Sequence, residues 1–214
     1  MSKRLVTGLI CASCVVPIFA ATDNFNRQEL GDTWTVDTGD LYIQGKKMHG
    51  ASESLGTFNK AKHDTSATVD VAVYGKNIAY GAITIGDAAT GRNVFMKIQT
   101  QNGEGTFDTA AFYTGNNGGG YFFAVDLPPT NKVRMTGSMS GTVATMTFTD
   151  TEGNVLATYS YDYGRAPKKA GIGLGTWGNV GLDRLSTTMA ADADPGAVPA
   201  ANPLPDGGLV DKTR

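Results

Sequence analysis

The chain has 214 residues, a formal net charge of −2, 28 glycines and only 18% charged residues. This length fits one domain with extra segments at its ends. The slightly acidic balance, without a basic stripe, argues against nucleic acid as a partner. The glycine content, the low charge and the lack of a sustained 3.6-residue period favour a β-rich fold over a helical one.

The first 20 residues have the pattern of a secretory signal peptide. Lys3 and Arg4 precede an apolar run over residues 5–19, and Ala20 provides a small residue for cleavage. A transmembrane anchor would need about 20 apolar residues, and this run is shorter and interrupted by polar residues and proline. We therefore expect an exported protein, which is secreted, periplasmic or on the cell surface, with no transmembrane segment after cleavage.

Both cysteines of the chain, Cys11 and Cys14, lie inside the predicted signal peptide. The mature protein would then have no cysteine, so its stability must come from its core and sheets rather than from disulfides.

Short segments with alternating apolar residues follow one another through the next part of the chain. The clearest runs over residues 67–74, where four apolar side chains face one side and mostly polar ones face the other. Turn signals rich in glycine, asparagine and proline separate the segments. The predicted strands are residues 34–37, 41–44, 47–51, 67–74, 79–86, 93–100, 106–113, 121–126, 132–138, 142–149, 155–163 and 169–174. Regularly spaced short strands predict an all-β fold, an antiparallel β-sandwich.

The stretch GIGLGTWGNVGLDRLS, residues 171–186, reads as two strands joined by a glycine-rich turn. We expect the second of these strands to lie near the N-terminal stretch DNFNR, residues 23–27. Domain termini tend to lie close together at the surface, and the sandwich would close at this point.

Residues 190–214 differ in composition from the rest of the chain. They contain four of the eight prolines and no aromatic residue, which predicts an irregular tail that is disordered or extended. It is either a plain solvated tail or an arm for attachment or assembly. The predicted organisation is a signal peptide at 1–20, a β-sandwich at 21–189 and the tail at 190–214.

DNFNR followed by the WTV strand, GDLYI, FMKIQ and the closing GIGLGTWGNVGLDRLS together resemble the concanavalin A-like lectin/glucanase superfamily. The resemblance is to the laminin-G-like modules of secreted bacterial proteins and covers residues 23–187. It implies a jelly roll of two curved antiparallel sheets, a fold that often binds carbohydrate and sometimes a calcium ion near the chain ends. Asp23 and Asp183 are the matching positions for calcium. The alternative is that both carboxylates cap strand ends in water.

Glucan-hydrolysing members of that superfamily carry a Glu-x-Asp-x-x-Glu run on one strand, because hydrolysis needs two carboxyl groups across the sugar bond. This chain has no such run, and each of its four glutamates lies in a turn-like setting. His49 and His63 have no partner at zinc-ligand spacing. Residues 173–178 match the letters of a dinucleotide fingerprint, but no helix follows them. We therefore predict a protein that is not an enzyme.

Sugars are held by aromatic faces together with amide or carboxylate hydrogen bonds. The candidate ligand-binding residues of this type near loops are Tyr113, Asn116, Asn117, Tyr121, Trp177 and Asn179. Trp177, in a glycine-flanked loop, is the best single candidate. The alternative is that the tryptophan and the tyrosines belong to the core.

These observations predict a secreted or cell-surface, non-catalytic binding module that recognises a glycan or a cell-surface polysaccharide. One alternative is a structural subunit of a surface layer, filament or matrix that self-assembles through uncovered sheet edges. A second alternative is an atypical glycan hydrolase or lyase.

Overall fold

The computed structural model describes residues 21–86, 93–114, 120–167, 169–188 and 210–211. The predicted signal peptide and most of the predicted tail lie outside these residues. The described part consists of β-strands and one short 3-10 helix, Gly31–Thr33. The strands are β1 (Ala21–Asp23), β2 (Trp34–Thr38), β3 (Leu41–Gln44), β4 (Lys47–Gly50), β5 (Ser54–Phe58), β6 (Ser66–Val73), β7 (Ala79–Ile85), β8 (Val94–Thr100), β9 (Thr109–Thr114), β10 (Gly120–Ala124), β11 (Lys132–Ser140), β12 (Val143–Thr149), β13 (Val155–Asp162), β14 (Ile172–Trp177), β15 (Val180–Thr188) and β16 (Val210–Asp211).

The strands form two antiparallel sheets of eight strands each, which confirms the predicted β-sandwich. Sheet A has the order β13-β12-β11-β6-β15-β4-β3, and β1 also pairs with β15. Sheet B has the order β16-β10-β9-β8-β7-β14-β5-β2. No helix in the described part of the chain is long and apolar enough to cross a membrane.

The core lies between the sheets and is built by strand alternation. In β6, Val69 and Val71 face the core while Asp70 between them lies on the other face. From sheet B, Met96 and Ile98 of β8 belong to the same core cluster and are fully buried. Burying a side chain of this size stabilises the fold by roughly 1.5–3 kcal/mol. The core therefore fixes which residues of sheet B point outward.

The first and last strands of the body pair directly, as the sequence predicted. Asp23 of β1 lies opposite Leu185 of β15. The Asp23 carboxylate is buried and accepts hydrogen bonds from the Phe25 amide (2.9 Å), the Arg27 guanidinium (2.6 and 2.7 Å) and the Trp34 indole (2.7 Å). DNFNR is thus a clasp that holds the chain start against the closing strand.

Two features of sheet B differ from the sequence predictions. The strand β5 was not predicted, because SLGTF is buried on both faces and has no polar alternation. The strand β14 continues through the glycine-rich stretch to Trp177, which was predicted to lie in a loop. Only glycine fits at position 173 without a shift, because a Cβ there would lie 2.7 Å from the Gly56 carbonyl oxygen on β5. The glycines of β14 thus permit close strand packing, and the turn follows at Gly178.

Part of the predicted tail forms a short strand. Val210 and Asp211 pair antiparallel with Tyr121 and Gly120 at the edge of sheet B. The pairing covers only these two residues.

Candidate functional site

An aromatic strip crosses the outer face of sheet B. Strand alternation creates it, because Val94, Met96 and Ile98 of β8 enter the core and leave Phe95 and Lys97 on the outside. Neighbouring strands follow the same rule. The strip consists of Trp177 on β14, Tyr80 on β7, Phe95 on β8, Tyr113 on β9 and Phe122 on β10. We call these five rings, with Lys97, the aromatic face.

The five rings form one continuous series. Ring centroids are 6.1 Å apart for Trp177 and Tyr80, for Tyr80 and Phe95, and for Phe95 and Tyr113, and 5.0 Å apart for Tyr113 and Phe122. The last three pairs meet edge to face, at 81°, 88° and 90°. Edge-to-face contacts stabilise aromatic pairs beyond the area they bury. The rings therefore hold one another in place.

Lys97 lies at the centre of the series. Its ammonium nitrogen is 4.5 Å from the ring centroid of Tyr80, 4.9 Å from that of Tyr113 and 4.8 Å from that of Phe122. The side chain is only 9% exposed. Its neighbours in the sheet, Ala82 and Ala111, are small and leave room for the rings to approach. Cation–π attraction to three rings compensates part of the cost of burying this charge.

Glycines allow two of the rings to pack directly on the sheet. A Cβ at Gly175 would lie 3.0 Å from the Phe95 ring, and one at Gly120 would overlap the Tyr113 ring. These two rings consequently lie directly on the glycine backbone of the sheet, next to the exposed Trp177.

A carboxylate borders the aromatic face. The Tyr80 hydroxyl donates a hydrogen bond of 2.9 Å to the exposed Glu53. Burial raises the pKa of Tyr80, and the negative charge of Glu53 raises it further. Tyr80 therefore stays a protonated donor at neutral pH and fixes the carboxylate beside the strip.

The structure brings together only some of the residues predicted for the site. Tyr113 and Trp177 lie on the aromatic face, and Trp177 is 36% exposed. Asn179 is exposed in the turn after β14, where its carbonyl accepts the Tyr74 amide at 2.8 Å. Tyr121 points to the other side of β10 and stacks on Tyr161 at 5.9 Å, against the core. The predicted residues Asn116 and Asn117 lie outside the described part of the chain.

The predicted calcium positions do not form an obvious metal site. Both oxygens of Asp23 accept N–H donors, one of which is the cationic Arg27, and this is not the environment of a calcium ligand. Asp183 accepts the Arg184 amide and lies on the outer face of sheet A. Among the described residues no group of three or more His, Cys, Asp or Glu side chains could hold a metal. Calcium binding stays a prediction from the resemblance.

Burial raises the pKa of the Asp23 carboxyl, but the hydrogen bonds from Arg27, Trp34 and Phe25 lower it by more. The net pKa lies below the ordinary value. The carboxylate is therefore charged at neutral pH and belongs to the fold rather than to the candidate site.

Sequence reasoning missed Tyr80, Phe95, Lys97 and Phe122. The signal was present in FMKIQ, where Phe95 and Lys97 share one face with Gln99. The sequences of β8 and β9 contain no acidic residue.

No protein-family model matches the chain, and no curated protein matches it in sequence. Solved structures do match its fold. The carbohydrate-binding module CBM66 from Bacillus subtilis has a TM-score of 0.51 and 13% identity, with 73% of this chain and 92% of that chain covered. The Bacillus licheniformis β-glucanase has a TM-score of 0.57 and 11% identity, covering 79% and 98%.

A Bacillus subtilis protein of unknown function with a galectin-like fold has a TM-score of 0.52 and 9% identity, covering 79% of this chain and 94% of that chain. These matches confirm the concanavalin A-like jelly-roll fold that the sequence resemblance implied. At such low identities they show the fold alone.

Proposed function

We propose that this concanavalin A-like jelly roll is a non-catalytic glycan-binding module whose ligand lies on the aromatic face. The observation that carries the proposal is the continuous series of rings from Trp177 to Phe122. A sugar ring presents a C–H surface that packs on an aromatic ring, and polar groups at the edge can bond its hydroxyls. The exposed Glu53 carboxylate is such a polar group. The names of two structural neighbours, a carbohydrate-binding module and a β-glucanase, support a glycan as the ligand class.

Binding without hydrolysis is supported by the composition of the central strands. The outer positions of β8 hold Phe95, Lys97 and Gln99, and those of β9 hold Thr109, Ala111 and Tyr113. The best candidate for a catalytic acid at the aromatic face is Glu53, but its carboxylate is hydrogen-bonded to a tyrosine rather than paired with a second carboxyl group. We further propose that the predicted signal peptide exports the module, so that it meets polysaccharide outside the cytoplasm.

A glycan array with the purified protein tests the proposal. We expect binding to a subset of glycans, and we expect Trp177→Ala to weaken it at least tenfold, or about 1.4 kcal/mol. Trp177→Phe keeps an aromatic surface and should retain most of the affinity. Val155→Ala is the matched control, because Val155 is exposed on β13 in the other sheet.

Two results would overturn the proposal. One is that no glycan binds, or that Trp177→Ala binds as tightly as the wild type. The other is release of reducing sugar from a bound polysaccharide, which would show that the domain is catalytic.

Self-assembly is a second candidate function, which the pairing of β16 with β10 favours. A sheet edge exposes unpaired backbone groups that can accept a strand from another chain. If β16 pairs between molecules, sedimentation of the full chain should show oligomers at high concentration, and Val210→Pro should abolish them because proline cannot donate to a strand ladder. A monomer at every concentration would remove this candidate.

A further inference from the structure

A second series of rings lies on the outer face of sheet A, on the opposite side of the molecule from the aromatic face. Tyr42 of β3 is the cross-strand partner of His49 on β4. Their rings are stacked at 5.7 Å with an interplanar angle of 18°. The next ring is Tyr74, just after β6, at 6.3 Å from His49 and tilted by 32°. We call Tyr42, His49 and Tyr74 the sheet A strip.

A glycine makes the sheet A strip continuous. β15 runs between β4 and β6, and Leu182 pairs with Met48, which places Gly181 beside His49. A Cβ at Gly181 would lie 3.1 Å from the His49 ring and 3.2 Å from the Tyr74 ring. Without a side chain at this position, the two rings meet directly over the β15 backbone. The strip therefore crosses four strands without interruption.

His49 is held in a fixed orientation. Its ring contacts the carbonyls of Gln44, at 3.2 Å, and Val180. Burial lowers the pKa of His49, and the nearby charge of Lys47 lowers it further, against the opposite effect of these two carbonyls. The imidazole is thus uncharged at neutral pH. An uncharged ring whose orientation is set by hydrogen bonds loses little conformational entropy when a ligand binds.

The sheet A strip is exposed and has polar borders. Tyr42 is 42% exposed. The Lys47 ammonium lies 5.7 Å from the Tyr74 centroid and makes no ion pair with any residue that the structure describes. Gln44 is exposed in the hairpin formed by β3 and β4, and Asn179 is exposed in the turn between β14 and β15. Hydrogen-bonding groups therefore border the rings.

We propose that the sheet A strip is a second glycan-binding site, which takes a polysaccharide chain lying across the strands. The ligand class rests on the proposed function, but the residues are different. The three rings, whose centroids are 5.7 and 6.3 Å apart, extend far enough across the strands to contact more than one sugar of a chain. They are too small an area for a stable protein interface, which buries about 1,200–2,000 Å². The Lys47 ammonium, which lies over the Tyr74 ring, complements a hydroxylated or carboxylated sugar at the edge of the strip.

Two sites on opposite sheets would make a single molecule bivalent. One molecule would bind two polysaccharide chains, or two segments of one chain, and the linked sites would bind more tightly than either alone. The wild type should therefore raise the turbidity of a polysaccharide solution, while a variant that lacks either site should not.

Affinity electrophoresis in gels that contain laminarin, barley β-glucan, alginate or polygalacturonate tests the inference on the full chain. We expect Tyr42→Ala to weaken the retardation at least fivefold in one of these gels, and Tyr42→Phe to leave it unchanged. Gly181→Ala is a second, independent variant, because its methyl group separates the rings without removing any of them. The melting temperature of each variant shows that it is folded.

The failure of this inference differs from the failure of the proposed function. If Trp177→Ala loses binding while Tyr42→Ala and Gly181→Ala bind as the wild type does, the second site is refuted and the aromatic face stands. If only the Tyr42 and Gly181 variants lose binding, the sheet A strip stands and the aromatic face is refuted. Absence of wild-type retardation in all four gels, together with absence of binding on the glycan array, refutes both.

Discussion

Replacing Asp23 by alanine should destabilise the protein strongly, although the residue lies outside both proposed sites. Its carboxylate accepts two short bonds from Arg27 and one from the Trp34 indole. Asp23 is 6% exposed, so the substitution leaves the buried indole N–H without an acceptor, which alone costs about 1–3 kcal/mol. Arg27 is one-third exposed, and water can replace its partner, so the ion pair adds only about 1 kcal/mol.

We therefore expect Asp23→Ala to lower the free energy of unfolding by about 3 kcal/mol. For a domain of this size that corresponds to a fall in melting temperature of about 6–12 °C. Urea denaturation at pH 7 measures the change, with Asp126→Ala as the control at an exposed aspartate. A loss below about 1 kcal/mol would refute the assignment of DNFNR as a clasp.

The same carboxylate predicts a pH dependence. The pKa of Asp23 in the folded protein lies below its ordinary value of 3.8, so its contribution is fully present above that value and is lost as the pH falls through the folded pKa. The stability difference between the wild type and Asp23→Asn should consequently be constant near neutral pH and shrink in strong acid. A difference that grows below pH 3.8 would contradict the sign.

Three further substitutions test the core, a turn and an ion pair. Phe58→Ala removes a fully buried ring and should cost about 3–5 kcal/mol in chemical denaturation; a smaller loss than 1.5 kcal/mol would mean that the site is not packed as described. Gly178→Ala places a Cβ 2.5 Å from the Ile78 carbonyl oxygen at a φ of 72°, so it should lower the free energy of unfolding by about 1–3 kcal/mol. It should also reduce glycan binding, because it displaces the preceding tryptophan. Wild-type stability and wild-type binding would contradict the described turn. Arg184→Ala breaks the ion pair between the exposed Arg184 and Asp70. Asp70 keeps its second partner, Arg134, so stability should change by less than about 1 kcal/mol, and the effect should vanish at high salt.

The fold could be predicted because its strands carry the strongest local pattern. In β6 the alternation of apolar and polar residues determines both the strand and its buried face. The strand β5 could not be predicted in this way, because both of its faces are covered, and only the partners β2 and β14 make it a strand. Tertiary pairing, not local propensity, determines such a segment.

The candidate site was harder to predict than the fold, because a side chain's face depends on strand parity. A shift of one residue in register moves a residue to the opposite face of the sheet. Tyr113 and Tyr121 flank the same glycine-dense stretch, yet Tyr113 lies on the aromatic face and Tyr121 packs towards the core. The sequence between them does not show how many residues belong to the turn. It therefore does not determine which face of the sheet each tyrosine occupies. Phe95 and Lys97 were assignable from FMKIQ alone, since the apolar residues of β8 mark its inner face.

The last two strands of the body are also interior strands. β14 lies between β7 and β5 in sheet B, and β15 lies between β6 and β4 in sheet A. A growing polypeptide that stops before residue 172 would lack the middle of both layers, and nothing in the earlier strands could substitute for it. The domain should therefore remain unfolded on the ribosome until almost its whole length has been made, and then fold in a single late event. Such a delay would suit the export proposed above, because an exported chain passes through a narrow channel before it becomes compact.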